Sequence, residues 1–229
     1  MFRNGITDIF FDLDHTLWDF EKNSALTFEK ILLQHQIEVH LPHFLEIYVP
    51  LNQEYWKLYR EERVTKAELR YQRLKKTFDA LQIRIEDTLI DVLANDYIAH
   101  LSSFRHIFPN TREALDYLLP KYRLHIITNG FTEIQYKKLK NADIHHYFDQ
   151  IIDSETAGVK KPHPKIFEVA LDRAGVSPEK TLMVGDNLEA DILGAQAMGM
   201  NALHFNAHRE PDHDVCPIIT DLIEIKNIL

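Results

Sequence analysis

The second half of the chain alternates short apolar runs with helix-length segments, and this alternation limits the possible folds more than any other feature of the sequence. Strands that alternate with helices of about ten residues form a parallel sheet with helices on both faces. We therefore expect an α/β core with a doubly wound parallel sheet. Beyond residue 109 the predicted helices are 111–119, 132–140, 164–174 and 189–198, and the predicted strands are 124–128, 150–153, 181–184 and 202–205.

Glycine is scarce and unevenly distributed. The chain has seven glycines, where average usage would give about sixteen, and none lies between Gly5 and Gly130. Within this gap, over residues 20–101, apolar residues recur at helical spacing. Pro42 and Pro50 are the predicted turns between its helices. Because glycine weakens helices and serves tight turns, the gap indicates an all-helical insert.

The two patterns together define the expected domains. A buried strand is predicted at 6–13 and a short closing helix at 221–229, both outside the helical stretch. The expected organisation is a Rossmann-like core made of residues 1–18 and 105–229, interrupted by an all-helical domain at 19–104.

The charge balance, the cysteine count and the hydropathy exclude several classes of protein. Lys and Arg number 26 against 35 Asp and Glu, and the net charge of −9 disfavours sequence-independent binding to nucleic-acid polymers. The single cysteine, Cys216, allows neither an internal disulfide nor a cysteine-based metal site. The apolar run Ile9–Phe11 is too short for a signal peptide, and no run approaches the roughly 20 residues of a membrane span. We expect a cytoplasmic protein whose partner is a small molecule rather than a nucleic acid or a membrane.

Polar residues follow four of the predicted strands, at the edge of the sheet where ligands bind in open parallel folds. They comprise a pair of carboxylates, a hydroxyl next to an amide, a cation in a loop, and a second acidic cluster. In chain order these residues are Asp12 and Asp14, Thr128 and Asn129, Lys161, and Asp186 and Asn187, with Asp191 one helical turn further on.

This combination predicts a metal-assisted phosphate site. The neighbouring carboxylates of Asp12 and Asp14 need a counter-charge, and a hard divalent ion with oxygen ligands supplies it, with Asp186 as a third carboxylate. Mg²⁺ is the expected ion, and Mn²⁺ is its expected substitute. Thr128 and Lys161 would then bind phosphoryl oxygens opposite the metal.

Each motif also has a purely structural interpretation. Residues 128–130 could form nothing more than a strand-to-helix turn, since Asn and Gly are common turn residues. Lys161 could be a solvated loop cation, and Asp186 or Asn187 could simply cap the following helix. For the structural interpretations to hold, a separate one would have to apply at the carboxyl end of each of the four strands, in the order of the motifs along the chain.

In sequence and order, the four motifs resemble those of the haloacid dehalogenase superfamily, and the resemblance covers nearly the whole chain. It implies that Asp12 is a nucleophile, that Asp14 is a general acid and base, and that Thr128 binds phosphate. The helical insert resembles the C1-type cap of this family. The remaining implied roles are metal binding by Asp12, Asp186 and the main-chain carbonyl of Asp14, substrate binding by Asn129 and Lys161, and supporting contacts from Asn187 and from Asp191, which would orient Lys161 or a metal-bound water.

The same resemblance implies covalent catalysis in two steps. Asp12 attacks the phosphorus while Asp14 gives a proton to the leaving alcohol, and Asp14 then takes a proton from the water that hydrolyses the aspartyl phosphate. Dehalogenases of the superfamily lack an acid two residues after the nucleophile, because no leaving alcohol needs a proton. Asp14 therefore indicates a phosphatase.

A narrower resemblance is to the pyrimidine 5′-nucleotidases, and it implies a nucleoside 5′-monophosphate as the substrate. Two alternatives stay open. One is a phosphatase for another small ester, such as a sugar phosphate, phosphoglycolate or acylneuraminate 9-phosphate, and the other is a receiver-like phospho-acceptor module. The chain length and the helical insert disfavour the receiver-like module. The segments that carry this narrower resemblance are 127–131, 161–167, 184–186, 191–194 and 206–209.

Overall fold

The computed structural model describes residues 5–229, in two compact units. One unit contains residues 5–20 together with Arg105–Leu229, and the other contains Glu21–Phe104. The first unit is α/β and contains all the predicted site residues, whereas the second is helical. Among residues 5–229, no helix combines the length and the apolar character that a membrane crossing requires.

Six parallel strands within the described residues form the sheet of the α/β unit. They are β1 Asp8–Phe11, β2 Arg123–Thr128, β3 Phe148–Asp153, β4 Thr181–Gly185, β5 Asn201–Phe205 and β6 Ile218–Ile219. Their order is β3-β2-β1-β4-β5-β6, and each neighbouring pair is parallel. The chain builds one side of the sheet through β2 and β3 and then returns to build the other side from β4. The strand order therefore reverses between β1 and β4, and such a switch point opens a crevice at the carboxyl ends of the strands.

The α-helices of the α/β unit, numbered after the four helices of the other unit, are α5 Thr111–Leu118, α6 Thr132–Asn141, α7 Ser154–Ala157, α8 Pro164–Ala174 and α9 Gly194–Ala197. The ends of α8 follow directly from its sequence. It begins at Pro164, whose fixed φ suits the first helical turn, and it is followed by Gly175 in the left-handed conformation at φ 62°. Between these ends, Ile166 and Phe167 are fully buried in a core that includes Phe10 of β1. The predicted α/β fold with a doubly wound parallel sheet is confirmed.

The structure corrects the predicted elements near the C-terminus. The segment predicted as a helix at 189–198 is a π-helical turn, Leu188–Leu193, followed by α9. The amide of Ile192 donates to the carbonyl of Asn187 five residues earlier, which widens the turn. The closing helix is a 3₁₀ helix, Leu222–Asn227. β6 was not predicted, because two residues cannot show the alternation that identifies a strand.

The helices of the second unit are α1 Phe20–Gln34, α2 Leu41–Arg60, α3 Lys66–Ala80 and α4 Asp87–Leu101. The start of α3 shows a strong local signal, because Thr65 and Glu68 form a reciprocal capping box. The prediction of a turn at Pro50 is wrong, since this residue lies inside α2. A proline removes one helical hydrogen bond, and here the packing of the buried residues Phe44, Tyr48 and Tyr55 on the same helix outweighs that loss.

The interior of the helical unit combines aromatic rings with a single buried guanidinium group. The ring of Phe28 lies 4.5 Å from that of Tyr48 and 4.7 Å from that of Tyr97. Arg73 is 2% exposed; it donates to Oδ1 of Asn52 at 2.8 Å, and its guanidinium lies 4.9 Å from the centre of the Tyr97 ring. The contacts of this buried cation are thus an amide oxygen and aromatic faces, which stabilise a cation without a carboxylate.

Candidate active site

The turn after β1 directs Asp12 and Asp14 toward different partners. The amide of Asp12 still continues the sheet, because it donates to the carbonyl of Val184 at 2.9 Å. His15 then adopts a left-handed conformation, φ 66°, which ends the extended strand. In a straight strand, residues two apart point to the same side. The turn instead sends the Asp12 carboxylate to a lysine of one loop and the Asp14 carboxylate to a helix.

Lys161 is the buried counter-ion of Asp12. Its ammonium lies 2.6 Å from Oδ1 of Asp12 and 2.6 Å from Oδ1 of Asp191, and it donates to the carbonyl of Ile127 at 2.7 Å. The contacts with Asp12 and Ile127 are hydrogen bonds, and the contact with Asp191 is an ion pair. Burial alone would lower the pKa of Lys161, but the two carboxylates hold that pKa above its usual range. The lysine therefore stays charged in the interior.

Asn129 positions the backbone around Lys161. Its Nδ2 donates to the Lys161 carbonyl at 3.0 Å, and its Oδ1 accepts from the Lys161 amide at 2.7 Å. Both polar ends of its side chain thus pair with the Lys161 main chain, because the loop that carries the lysine needs its own peptide groups paired. Substrate binding by Asn129 stays a prediction.

The hydroxyl group of Thr128 is oriented by its neighbours. Its oxygen accepts from the amide of Gly130 at 3.2 Å and from Nε2 of Gln135 at 2.7 Å. Both lone pairs of the hydroxyl are therefore used, and its proton is left to donate to a ligand. Glycine at position 130 leaves room for this contact, since a Cβ atom there would overlap the Gln135 amide. Thr128 thus provides a buried hydrogen-bond donor at the end of β2.

The carboxylate of Asp14 lies against α6. Nζ of Lys138 contacts its two oxygens at 2.6 and 2.8 Å, and Nε2 of Gln135 donates to Oδ2 at 2.9 Å. The Lys138 ammonium also lies 4.4 Å from the centre of the Trp18 ring and 5.6 Å from that of Phe20. Neither Lys138 nor Gln135 was predicted. The available signal is their spacing of three residues on the helix that directly follows residues 128–130.

Three carboxylates meet where the ends of β1 and β4 adjoin. One oxygen from each of Asp12, Asp186 and Asp191 lies within 4.8 Å of the others. Oδ1 of Asp186 accepts from the Thr16 hydroxyl at 3.1 Å, and its main-chain carbonyl accepts from Nε2 of His204 at 2.7 Å. Two residues that the sequence analysis did not assign to the site, Thr16 and His204, therefore hold Asp186 in place.

The electrostatics of this cluster fit a divalent cation. Burial, followed by repulsion from Asp191 and Asp14, raises the pKa of Asp12 to about 7 even though Lys161 opposes the shift. Burial and the repulsion from Asp12 also raise the pKa of Asp186 well above its usual value. The single charge of Lys161 compensates one of three negative charges. An all-oxygen donor set with this excess of negative charge suits Mg²⁺.

The side chain of Asp14 is not part of this cluster, because it is bound by Lys138 and Gln135. The group of Asp14 that the family resemblance implies as a metal ligand is its main-chain carbonyl.

Asp191 and Asn187 support the site in the turn after β4. Oδ2 of Asp191 accepts from the Asn187 amide at 3.1 Å, and Oδ1 of Asn187 accepts from the Ala190 amide at 2.8 Å. Asn187 thus caps the π-helical turn, and Asp191 is left to contact Lys161. A Cβ atom at Gly185 would overlap the Asp191 carboxylate, so this position requires glycine.

His15 lies beside Asp14 and is held by aromatic neighbours. Its ring centre is 4.8 Å from that of Phe20, and its Nδ1 is 3.2 Å from Nε2 of His208. Burial lowers the pKa of His15 to about 4, although the Asp14 charge opposes this shift. The imidazole is therefore neutral at physiological pH, and it adds no positive charge next to Asp14.

A family model for haloacid dehalogenase-like hydrolases matches residues 8–199. This chain belongs to the haloacid dehalogenase-like hydrolases. The predicted resemblance is therefore confirmed at the level of the family, and the helical insert of these hydrolases is present as α1 to α4.

Individual relatives of this haloacid dehalogenase-like hydrolase cover nearly all of it. Glyceraldehyde 3-phosphate phosphatase of Methanothermobacter thermautotrophicus is 35% identical over 96% of this chain and 98% of its own. Pyrimidine 5′-nucleotidase PynA of Streptococcus pneumoniae is 31% identical over 90% of this chain and 86% of its own. The magnesium-bound crystal structure of the putative hydrolase YfnB of Bacillus subtilis is 26% identical, with a TM-score of 0.88 and 99% of each chain covered.

Proposed function

We propose that this chain is a Mg²⁺-dependent phosphomonoesterase that forms an aspartyl phosphate on Asp12, with nucleoside 5′-monophosphates as its substrates. The observation that carries this proposal is the separation of the two carboxylates that follow β1. Asp12 is bound to Lys161, and Asp14 is bound to Lys138 and Gln135. Carboxylates that are held in different environments can take the different roles of nucleophile and proton donor.

The first step transfers the phosphoryl group to the protein. Oδ1 of Asp12 accepts from Lys161, so Oδ2 is the oxygen that attacks the phosphorus. The bond from phosphorus to the leaving oxygen breaks, and protonated Asp14 gives its proton to that oxygen. Thr128, whose hydroxyl proton has no acceptor among residues 5–229, donates to a phosphoryl oxygen.

The second step regenerates the nucleophile. Ionised Asp14 takes a proton from a water molecule, and the resulting hydroxide attacks the phosphorus of the aspartyl phosphate. The bond between phosphorus and Oδ2 of Asp12 breaks, which releases inorganic phosphate and returns Asp12 to its ionised form. Lys161 remains beside Asp12 throughout, where its charge favours the carboxylate as leaving group.

The metal would be held by the carboxylates of Asp12 and Asp186 and by the main-chain carbonyl of Asp14. When bound, Mg²⁺ neutralises negative charge on the transferring phosphoryl group. The carboxylate cluster supports this assignment, and so does the magnesium bound to the related YfnB. Mn²⁺, which also prefers oxygen ligands, is expected to substitute for it.

The names of the relatives favour two substrate classes. One relative is a pyrimidine 5′-nucleotidase, at 31% identity, and another is a glyceraldehyde 3-phosphate phosphatase, at 35% identity. The second class falls within the sugar phosphates that the sequence analysis kept as an alternative. We place nucleotides first because the motif segments of this chain resemble those of the nucleotidases, and glyceraldehyde 3-phosphate is the second candidate.

A substrate panel tests the proposal. Phosphate release is measured with UMP, CMP, dTMP, glyceraldehyde 3-phosphate, phosphoglycolate and p-nitrophenyl phosphate, each with Mg²⁺, with Mn²⁺ and with EDTA. We expect the highest kcat/KM for a nucleotide and no turnover in EDTA. A higher kcat/KM for glyceraldehyde 3-phosphate would refute the nucleotidase assignment and leave the phosphatase intact. A stable phosphoprotein with no turnover on any ester would instead support the phospho-acceptor alternative.

A further inference from the structure

Two buried polar side chains of α6 converge on the carboxylate of Asp14. Lys138 is 3% exposed and Gln135 is 1% exposed, whereas Lys137 and Lys140 of the same helix are exposed, as helical lysines usually are. Residues three apart on a helix lie on the same side, so both side chains reach the same carboxylate. The fold thus places an ammonium and an amide against the group that the proposed mechanism uses as its acid.

The surroundings of Lys138 restrict its position. Its ammonium lies over the rings of Trp18 and Phe20, at 4.4 and 5.6 Å from their centres, and Trp18 is fully buried. A buried ammonium is costly unless it is paired. Asp14 is the carboxylate that pairs with it, and the rings close off one side of the group. The side chain is therefore held on both sides, and Asp14 is held with it.

Gln135 connects the proposed proton donor to the proposed phosphate-binding residue. Its Nε2 donates both to Oδ2 of Asp14, at 2.9 Å, and to the hydroxyl of Thr128, at 2.7 Å. The two protons of this amide nitrogen are thereby used, which sets the orientation of the amide. One side chain thus fixes the distance between a group that acts on the leaving oxygen and a group that binds the phosphoryl oxygens.

The contacts also distinguish the two oxygens of Asp14. Oδ2 accepts from both Lys138 and Gln135, and Oδ1 accepts from Lys138 alone. An oxygen that accepts two hydrogen bonds is occupied as an acceptor. Oδ1 consequently has more acceptor capacity left than Oδ2.

We propose that Lys138 and Gln135 are positioning residues that hold Asp14 for proton transfer to the leaving oxygen, and that they enable the enzyme to expel poor leaving groups. This inference rests on the proposed phosphatase function. An alkoxide leaving group needs a proton in the transition state, whereas p-nitrophenolate leaves without one. Misplacing Asp14 therefore slows alkyl esters far more than p-nitrophenyl phosphate.

The test compares K138M with wild type and with K137M, a matched control at the exposed neighbouring lysine. The measured quantity is kcat/KM for p-nitrophenyl phosphate and for two alkyl esters, UMP and glycerol phosphate, because kcat/KM reports the first phosphoryl transfer. We expect K138M to lose about 100-fold on the alkyl esters, the lower end of the range for general acid catalysis. The same variant should stay within a few-fold of wild type on p-nitrophenyl phosphate, and K137M should match wild type on all three.

Other outcomes overturn the inference. An equal loss on all three esters would show that Lys138 serves only the fold, and a gain on the alkyl esters would show that it holds Asp14 away from the substrate. If K138M does not fold, K138R keeps the buried cation but displaces it, and the same change in ester preference is expected. Adding K138M to D14N should change the ester preference no further, because Lys138 acts through Asp14.

The two proposals fail in different ways. If wild type releases phosphate from none of the esters, the phosphatase function itself is refuted. If wild type turns over all three and K138M shows an unchanged preference between alkyl and p-nitrophenyl esters, only the positioning role is refuted. Q135L, which leaves Lys138 in place, should show a smaller shift in ester preference, together with a raised KM from the disturbed Thr128 hydroxyl.

Discussion

The two units of the molecule bury charge in different ways. In the α/β unit, Lys161 faces Asp12 and Asp191, and Lys138 faces Asp14, so buried ions meet opposite ions at the ends of strands. In the helical unit, the guanidinium of Arg73 is surrounded by the ring of Tyr97 and the amide of Asn52. A cluster of ions can move charge during a reaction, whereas a cation against rings and an amide only fills an interior. We infer that the ion clusters of the α/β unit serve chemistry and that buried Arg73 of the helical unit serves packing.

Glycine follows the same division. Among the described residues the helical unit contains none, while Gly130 and Gly185 of the α/β unit lie where a Cβ atom would overlap the side chains of Gln135 and Asp191. The α/β unit therefore uses glycine to bring the backbone close to functional side chains. The helical unit needs no such approach, since its elements contact one another through large side chains.

The largest effect is expected at Asp12. D12N keeps the shape of the side chain but removes the nucleophile, so turnover should fall by about 10⁴-fold or more. Stability should not fall, because the change also removes repulsion among the buried carboxylates of Asp12, Asp186 and Asp191. Phosphate release and thermal unfolding measure the two effects, with D172N at an exposed position as the control. A strongly lowered Tm of D12N would mean that these carboxylates stabilise the fold. The contrast between charges that serve chemistry and charges that serve packing would then disappear.

The second prediction concerns metal binding at the carboxylate cluster. Mg²⁺ should raise the unfolding free energy of the wild-type protein, by about 2.7 kcal/mol at a concentration 100 times its Kd. D186N should lose most of this increase, since Asp186 is one of the three clustered carboxylates. The measurement is Tm as a function of Mg²⁺ concentration, which does not depend on turnover. An equal Mg²⁺ response in both proteins would remove Asp186 from the metal site.

Arg73 should affect stability and leave the chemistry unchanged. R73A removes a long side chain that is 2% exposed, and the resulting cavity should cost about 3 kcal/mol. The variant should retain its kcat/KM for p-nitrophenyl phosphate within about two-fold of wild type. This limit is small, since a ten-fold change in kcat/KM corresponds to about 1.4 kcal/mol. R84A, at an exposed position of the same unit, is the control. A large rise in KM with normal stability would show that the buried guanidinium binds substrate.

The smallest effect, a change in the pH dependence of stability, is expected toward the amino ends of the strands, away from the candidate site. His125 of β2 is fully buried, its Nε2 donates to Asp8 at 2.8 Å, and its Nδ1 has no partner among residues 5–229. Burial lowers the pKa of His125 despite the opposing effect of Asp8. Below the ordinary histidine pKa, about 6.5, the unfolded chain binds a proton that the folded one does not.

This difference makes stability fall as the pH drops from about 7 to about 5. Urea unfolding of wild type and H125Q at both pH values measures the contribution of His125. The loss of stability on acidification should be smaller in H125Q. An identical loss in both proteins would show that His125 is not held neutral. The buried groups at this end of the sheet would then be charged, as they are in the candidate site.

The residues of the candidate site were partly predictable, because a parallel sheet brings the ends of its strands together. Asp12, Thr128, Lys161 and Asp186 could be grouped from the sequence for this reason, and the structure places them at one edge. Lys138 and Gln135 could not, since a lysine on a helix is usually solvated and nothing in the local pattern shows that this one is buried. The hydrogen bonds between Asn129 and the Lys161 main chain could not be predicted for a similar reason. The two residues lie 32 positions apart in the chain.

By itself, the sequence determined the alternation of strands and helices, the glycine-free helical insert, and the order of the four motifs. These features depend on neighbouring residues, because periodicity, helix caps and turn residues act over a few positions. Only the tertiary structure decided which oxygen of Asp14 accepts two hydrogen bonds, that Lys161 bridges Asp12 and Asp191, and that α2 continues through Pro50. These outcomes depend on contacts between distant segments, where burial sets the cost of each unpaired charge and packing can outweigh a local preference.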